Sequence, residues 1–195
     1  MGRKELLDAC GLEGKPDAEK VKSLLKREST GDGLNKGEVG LDIRLILAPL
    51  EVACRNGYLE IVEVLMRDPR VLVNSTNLAG IFPFYTACAL GHLEIVKYML
   101  INERIITDFT KSKNNPLVDA CVLKQIDVGK WILASGRKIP KEIIESAKSS
   151  LEKLKDKNEK VLKFIQVLGK FLLDPIQTRK EVRKELGLPG RFFLF

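Results

Sequence analysis

Apolar residues recur along this chain in short blocks at helical spacing, separated by polar or glycine-bearing turns. Leu59, Val62, Leu65 and Met66 share one helix face, and the same spacing returns in Ile95, Val96, Met99 and Leu100. Proline stands ahead of three such segments, at Pro49, Pro83 and Pro116, where a missing N–H costs nothing because the first helical N–H groups have no partner anyway. Each proline therefore predicts the start of a short helix, and Gly57 and Gly91 predict where two of these helices stop. Nearer the end, Pro140 opens a helix carrying Ile143, Ile144, Ala147, Leu151 and Leu154. Val161, Phe164, Ile165, Leu168, Phe171 and Leu172 form a second apolar stripe that must face the rest of the protein. Asp174-Pro175-Ile176-Gln177 reads as a capping box, with Pro at the first helical position and Gln three residues after the cap. Gly187-Leu188-Pro189 supplies a stop.

The blocks keep a register. Every cysteine follows an alanine, in Ala9-Cys10, Ala53-Cys54, Ala87-Cys88 and Ala120-Cys121, and successive cysteines are 44, 34 and 33 residues apart. Disulfide or metal chemistry gives no reason for identical neighbours at a fixed period, whereas a repeated structural unit of about 33 residues does. Leu6, Leu7 and Ala9-Cys10, followed by Val21, Leu24 and Leu25, make a more divergent first copy with about three extra residues around Gly14-Lys15-Pro16. The polar, glycine-rich stretch from Ser29 to Gly40 accounts for most of the surplus in the 44-residue interval.

Aligned on the cysteines, the chain resembles the ankyrin-repeat family. Pro49, Leu50, Ala53, Gly57, Ile61, Val62 and Leu65 match its pattern, as do Pro83, Ala87, Gly91, His92, Ile95, Val96 and Leu100. Some positions depart from it. The family's Thr is Ala48, Phe82 and Asn115, its His is Glu51, Tyr85 and Val118, and its Gly becomes Lys124 in the third copy. Asn115 ahead of Pro116 can serve as an N-cap, and Gly129 sits inside a helix at a cost of about 1 kcal/mol relative to Ala. The resemblance implies an all-α solenoid of about four helix pairs with β-turn fingers, capped by C-terminal helices. The expected organisation is a degenerate N-terminal capping repeat over 1–30, an insertion or long finger loop over 31–47, three repeats over 48–139, and a basic helical cap and tail over 140–195.

Charge divides the chain the same way. Residues 1–48 carry 9 basic and 9 acidic side chains, residues 49–136 again 9 and 9, and residues 137–195 carry 15 and 8. The net charge of +7 thus falls wholly in the C-terminal region. No apolar run has the length of a signal peptide or of a membrane span, and Leu6 stands where a myristoylation motif needs Ser or Thr. The expectation is a cytoplasmic or nuclear protein with no membrane contact, a monomer on its own, whose thiols stay reduced.

Candidate chemistry is sparse. Thiols on equivalent helices about 8–10 Å apart are too distant to pair, so the cysteines read as small core residues. Cys10, in the irregular first copy, is the best candidate for an exposed, redox-sensitive thiol. The single histidine, His92, reads through the resemblance as a turn-bracing residue, with no nucleophile in view. The expectation is no enzyme, no cofactor and no metal.

Two surfaces remain. The family's usual contact positions, the finger loops and the exposed ends of the first helices, fall here on Arg55, Asn56, Leu78, Ala79, Ile81, Ala89, Leu90, Lys111, Ser112, Asn114, Val122 and Leu123. Seven of these twelve are apolar, which favours a protein partner in a concave groove unless Leu41–Leu47 or the tail Phe192-Phe193-Leu194-Phe195 covers them. The second surface is basic: Lys153, Lys155, Lys157 and Lys160, then Arg179, Lys180, Arg183 and Lys184. It suggests an alternative role, a structural or adaptor subunit of a large assembly contacting nucleic acid or a ribonucleoprotein through the C-terminal helices.

Overall fold

The interior first helices end in one way. Tyr58 N–H donates to Ala53 O at 3.0 Å, His92 N–H to Ala87 O at 3.0 Å, and Gln125 N–H to Ala120 O at 2.7 Å. One residue earlier, Gly91 N–H reaches Cys88 O at 3.3 Å and Lys124 N–H reaches Cys121 O at 3.0 Å. This is the Schellman pattern, which needs a left-handed residue just past the helix. Gly57 (φ 77°), Gly91 (φ 76°) and Lys124 (φ 59°) supply it. The Ala-Cys pairs therefore recur because their small side chains pack in the core while their carbonyls close the turn. Lys124 keeps the conformation that glycine would adopt more cheaply.

The computed structural model describes residues 3–12, 14–29, 43–71, 73, 74, 76, 80–105, 115–156 and 158–189. Among them are eleven α-helices and no strand, falling in two compact units, residues 1–86 and 87–195.

The first unit holds α1 (Arg3–Ala9), α2 (Ala18–Ser29), α3 (Ile43–Asn56), α4 (Leu59–Arg67) and the start of α5 (Pro83–Leu90). Two helix pairs stack, α1 against α3 and α2 against α4. Helix α1 also closes with a Schellman turn, at Gly11 (φ 89°), but the acceptors are Leu7 and Asp8 rather than Ala9 and Cys10. The first copy is thus cut short by two residues relative to its cysteine. Gly11 is required twice over, because a Cβ there would also run into the ring of Tyr58. Asp17 caps α2 by accepting from Lys20 N–H at 2.9 Å.

Two expectations change here. Pro49 does not begin α3: the helix starts at Ile43 and carries Pro49 inside it, so residues 43–47 are helical rather than loop. Cys10 is fully buried, and burial pushes its thiol up to about 12, so it is no exposed redox thiol. Residues 30–42 lie outside the described residues.

The second unit continues with α6 (Leu93–Leu100), α7 (Pro116–Val122), α8 (Ile126–Ala134), α9 (Lys141–Lys153), α10 (Glu159–Leu173) and α11 (Pro175–Glu185). Helices α5 and α7 do start at their prolines. Buried Asn115 caps α7, its Oδ1 accepting from Leu117 N–H at 3.1 Å and Val118 N–H at 3.4 Å. Asp174 caps α11 through Gln177 N–H at 2.9 Å, but only half of the capping box forms, since Gln177 Nε2 turns to Glu181 at 3.2 Å. Helix α11 stops at Gly187 (φ 67°), with Leu188 N–H donating to Arg183 O at 2.9 Å.

The C-terminal helices extend the stack. Helix α9 lies against α7, and α10 against α8 and α9, so α9–α10 packs as a further helix pair. Lys155 (φ 51°) takes the left-handed position in its turn, as Lys124 does one repeat earlier. Phe164, fully buried, explains Gly129: a Cβ on residue 129 would lie 2.7 Å from Phe164 Cζ and 2.8 Å from Cε1. The glycine is a seat for the α10 ring rather than a defect in α8. Of the stripe on α10, Val161, Phe164, Leu168 and Phe171 are buried, while Ile165 and Leu172 are half-buried.

A second ruler runs beside the cysteines. Arg70, Arg104 and Arg137 are 34 and 33 residues apart, and each N–H donates to the side chain two residues earlier: Asp68 at 2.9 Å, Asn102 at 2.9 Å and Ser135 at 3.4 Å. Arg70 Nη2 caps α2 at Leu25 O (3.0 Å), and Arg137 reaches Leu100 O (3.3 Å) and Ile105 O (3.0 Å). A cation at a helix C-terminus also opposes the negative end of the helix dipole. For α8 the service comes from α11. Arg179 Nε donates to Leu133 O at 3.2 Å, and Arg183 Nε to Ala134 O at 2.8 Å.

Candidate interaction surface

The helix ends that carry the predicted contact positions close in the Schellman turns, and the residue before each left-handed residue, Asn56, Leu90 and Leu123, is exposed. In the first unit this places Arg55 and Asn56 at the exposed end of α3. Arg55 is paired with Glu51 at 2.7 Å, and Glu51 also accepts from Thr86 Oγ1 at 3.2 Å. Asn56 Nδ2 leans to Gly11 O at 3.4 Å, and Ile81 is half-buried. Leu78 and Ala79 lie outside the described residues.

In the second unit the positions are more apolar. Leu90 is 48% exposed at the end of α5, and Val122 and Leu123 are 43% and 50% exposed at the end of α7. Ala89 is half-buried. The turns carrying them are neighbours, since a side chain on Gly91 would collide with Gln125 in the next turn. Lys111, Ser112 and Asn114 lie outside the described residues.

One member of this row escapes the sequence reading. Leu154, carried with the apolar residues of the helix that Pro140 opens, is 38% exposed and stands just ahead of left-handed Lys155, as Leu123 stands ahead of Lys124. The turns are tied together by the Lys124–Asp156 ion pair at 2.6 Å. That pair also holds the Asp156 carboxyl below its usual range, chiefly through the Lys124 hydrogen bond. The repeated Leu-Lys dipeptide at 123–124 and 154–155 is the signal that marks the equivalence.

Three of the eight predicted basic-surface residues are engaged within the chain. Arg179 and Arg183 are turned inward onto the end of α8, and burial lowers both guanidinium pKa values from the ordinary arginine value. The Arg179 guanidinium also lies 5.5 Å from the Phe171 ring centre. Lys160 pairs with Asp127 at 2.7 Å. Lys153, Lys155, Lys180 and Lys184 are exposed, and Lys157 lies outside the described residues. Their spacing on the sequence shows shared faces but not whether a face meets solvent or carbonyls.

The thiols lie inside the core and the histidine at a helix start. All four cysteines are buried thiols; burial and then Asp119 raise Cys121 to about 12, and burial and then Glu51 raise Cys54 further. His92 stands at the N-cap of α6 without a side-chain cap hydrogen bond. Among the described residues no cluster of metal-ligating side chains occurs, and no helix is long and apolar enough to cross a membrane.

Helix pairs stacked in register, closed by left-handed turns and exposing apolar residues at the ends of their first helices, define the class as an all-α repeat protein. Residues 50–142 match the family model for ankyrin repeats in three copies. Residues 50–142 are therefore ankyrin repeats, which generally mediate protein–protein interaction. In fold it is similar to the crystal structure of the ankyrin repeat protein EF0377, at 22% identity and a TM-score of 0.64, covering 96% of this chain and 98% of that one. No curated protein matches the sequence.

Proposed function

We propose that the chain is a non-enzymatic binding module that holds a protein partner on the row formed by the ends of its first helices, the concave side of an ankyrin array. The observation that carries this reading is the half-exposed pair Leu90 and Leu123, at equivalent positions of adjacent repeats beside half-exposed Val122. Fully burying one such side chain contributes about 1.5–3 kcal/mol, so covering what is still exposed on two leucines accounts for roughly 1.5–3 kcal/mol together. Because the turns are preformed, little ordering entropy opposes association.

The alternative, an adaptor tethered to a ribonucleoprotein by its C-terminal helices, has less support, since Arg179, Arg183 and Lys160 are occupied within the chain. The test is partner capture by wild type and by Leu90→Asp/Leu123→Asp, with thermal melts as the folding control. Loss of at least about tenfold in partner affinity with an unchanged melt is expected. Undiminished capture sinks the groove reading.

A further inference from the structure

The row of exposed leucines does not stop where the recognised repeats stop. Leu90, Leu123 and Leu154 each precede a left-handed residue, at Gly91, Lys124 and Lys155, and all three are between 38% and 50% exposed. Leu154 lies on α9, beyond residue 142 where the ankyrin match ends. Across the row the neighbours change character: Ala89 and Val122 precede the first two leucines, and Lys153 precedes the third. Lys153 and Lys155 are exposed, and the ion pair that ties the turns is made by Lys124 and Asp156 instead. One end of the row is therefore apolar and the other is apolar with a positive rim.

We propose that this row receives an amphipathic protein segment, its apolar side chains on Leu90, Leu123 and Leu154 and its carboxylates against Lys153 and Lys155. The proposal rests on the protein-binding reading above and adds the partner's chemistry and the contribution of α9. An acidic segment fits better than nucleic acid for two reasons. The row offers leucines rather than arginines or aromatic rings for phosphates and bases. Two exposed lysines with Asp156 next in sequence are also too small a positive excess for the several phosphate contacts that nucleic-acid binding relies on, and enough for one or two carboxylates. Equivalent helices about 8–10 Å apart make the row about 16–20 Å long, which a helix of about 12–16 residues spans.

The experiment is selection from a display library of random peptides about 16 residues long against the full chain, followed by anisotropy of labelled winners. Winners should combine Leu or Phe with Asp or Glu, and Leu154→Asp and Lys153→Glu/Lys155→Glu should each weaken them at least about tenfold without altering the melt. Winners indifferent to both variants but lost on Leu90→Asp/Leu123→Asp overturn this proposal and leave the groove reading standing. Winners indifferent to all three variants overturn both. Winners rich in Lys and Arg overturn the acidic partner. If binders emerge only after residues 190–195 are deleted, the chain's own tail is the occupant and the proposal fails.

Discussion

Gly129→Ala separates two opposed effects of known size. Alanine in a helix interior is favoured over glycine by about 1 kcal/mol, so propensity alone predicts a more stable protein. The added Cβ, however, would meet Phe164 Cζ at 2.7 Å and Cε1 at 2.8 Å, with Leu117 Cδ1 behind at 3.8 Å. Carbon atoms pack best at about 3.5–4.0 Å, so the overlap approaches 1 Å on a ring that is fully buried and has nowhere to turn. Overpacking of this kind costs about 1–3 kcal/mol, and two ring atoms inside 3.0 Å put it in the upper part of that range. The net expectation is a loss of about 1–2 kcal/mol. Urea unfolding followed by both Trp131 fluorescence and far-UV circular dichroism reads it, and agreement of the two probes guards against partial unfolding of the array. Phe164→Leu should relieve the clash, so the double variant should be more stable than the summed single losses predict. A Gly129→Ala protein about 1 kcal/mol more stable than wild type would refute the seating of α10 on α8.

Other outcomes follow from the same geometry. Lys124→Gly relieves a left-handed lysine worth about 1–2 kcal/mol but gives up a surface ion pair worth under about 1 kcal/mol, so a gain near 0.5 kcal/mol is expected, and destabilisation would refute the assignment of that turn. Arg179→Met/Arg183→Met leaves the Leu133 and Ala134 carbonyls without those donors and should cost about 2 kcal/mol, whereas Lys180→Met/Lys184→Met should stay within about 0.5 kcal/mol; equal effects in urea melts would contradict the capping role. The raised thiols make stability pH-dependent. Folded Cys10 and Cys121 titrate near about 12, while unfolded thiols titrate near 8.5, so their contribution is full below about pH 8.5 and is lost as pH rises toward 12. Each thiol contributes a slope of about 1.4 kcal/mol per pH unit in that window, and Cys10→Ala should remove one such share. A slope unchanged by Cys10→Ala in alkaline melts would show that Cys10 is not buried.

What could be read in the sequence was mostly local. Asn115 before Pro116, Asp174 before Pro175, and glycine after the Ala-Cys helices act over a few residues, and the two N-caps and the glycine turns form as expected, while the return half of the capping box at Asp174 does not. Pro49 misled because its neighbours before it are themselves helix-forming and apolar, so α3 could extend back through them. The misses depend on partners far along the chain. Gly129 looks like a weak point until Phe164, 35 residues later, is placed beside it. Arg179 and Arg183 share a helix face on spacing alone, but only packing reveals that this face meets the end of α8. Leu154 fits an apolar stripe by periodicity, and two residues inserted after Lys155 hide its equivalence to Leu123. The contact positions themselves came from the family resemblance, and their half-exposure came from the turns.

Calorimetry of the purified partner binding the full chain, at several temperatures and in low and high salt, tests the central claim most directly. Burial of the leucine row predicts a clearly negative heat-capacity change, reduced in Leu90→Asp/Leu123→Asp, and an affinity that falls only a few-fold on raising salt. A heat-capacity change near zero, with affinity collapsing by about a thousandfold in salt and unaffected by the leucine variants, would place binding on the basic helices and contradict the account.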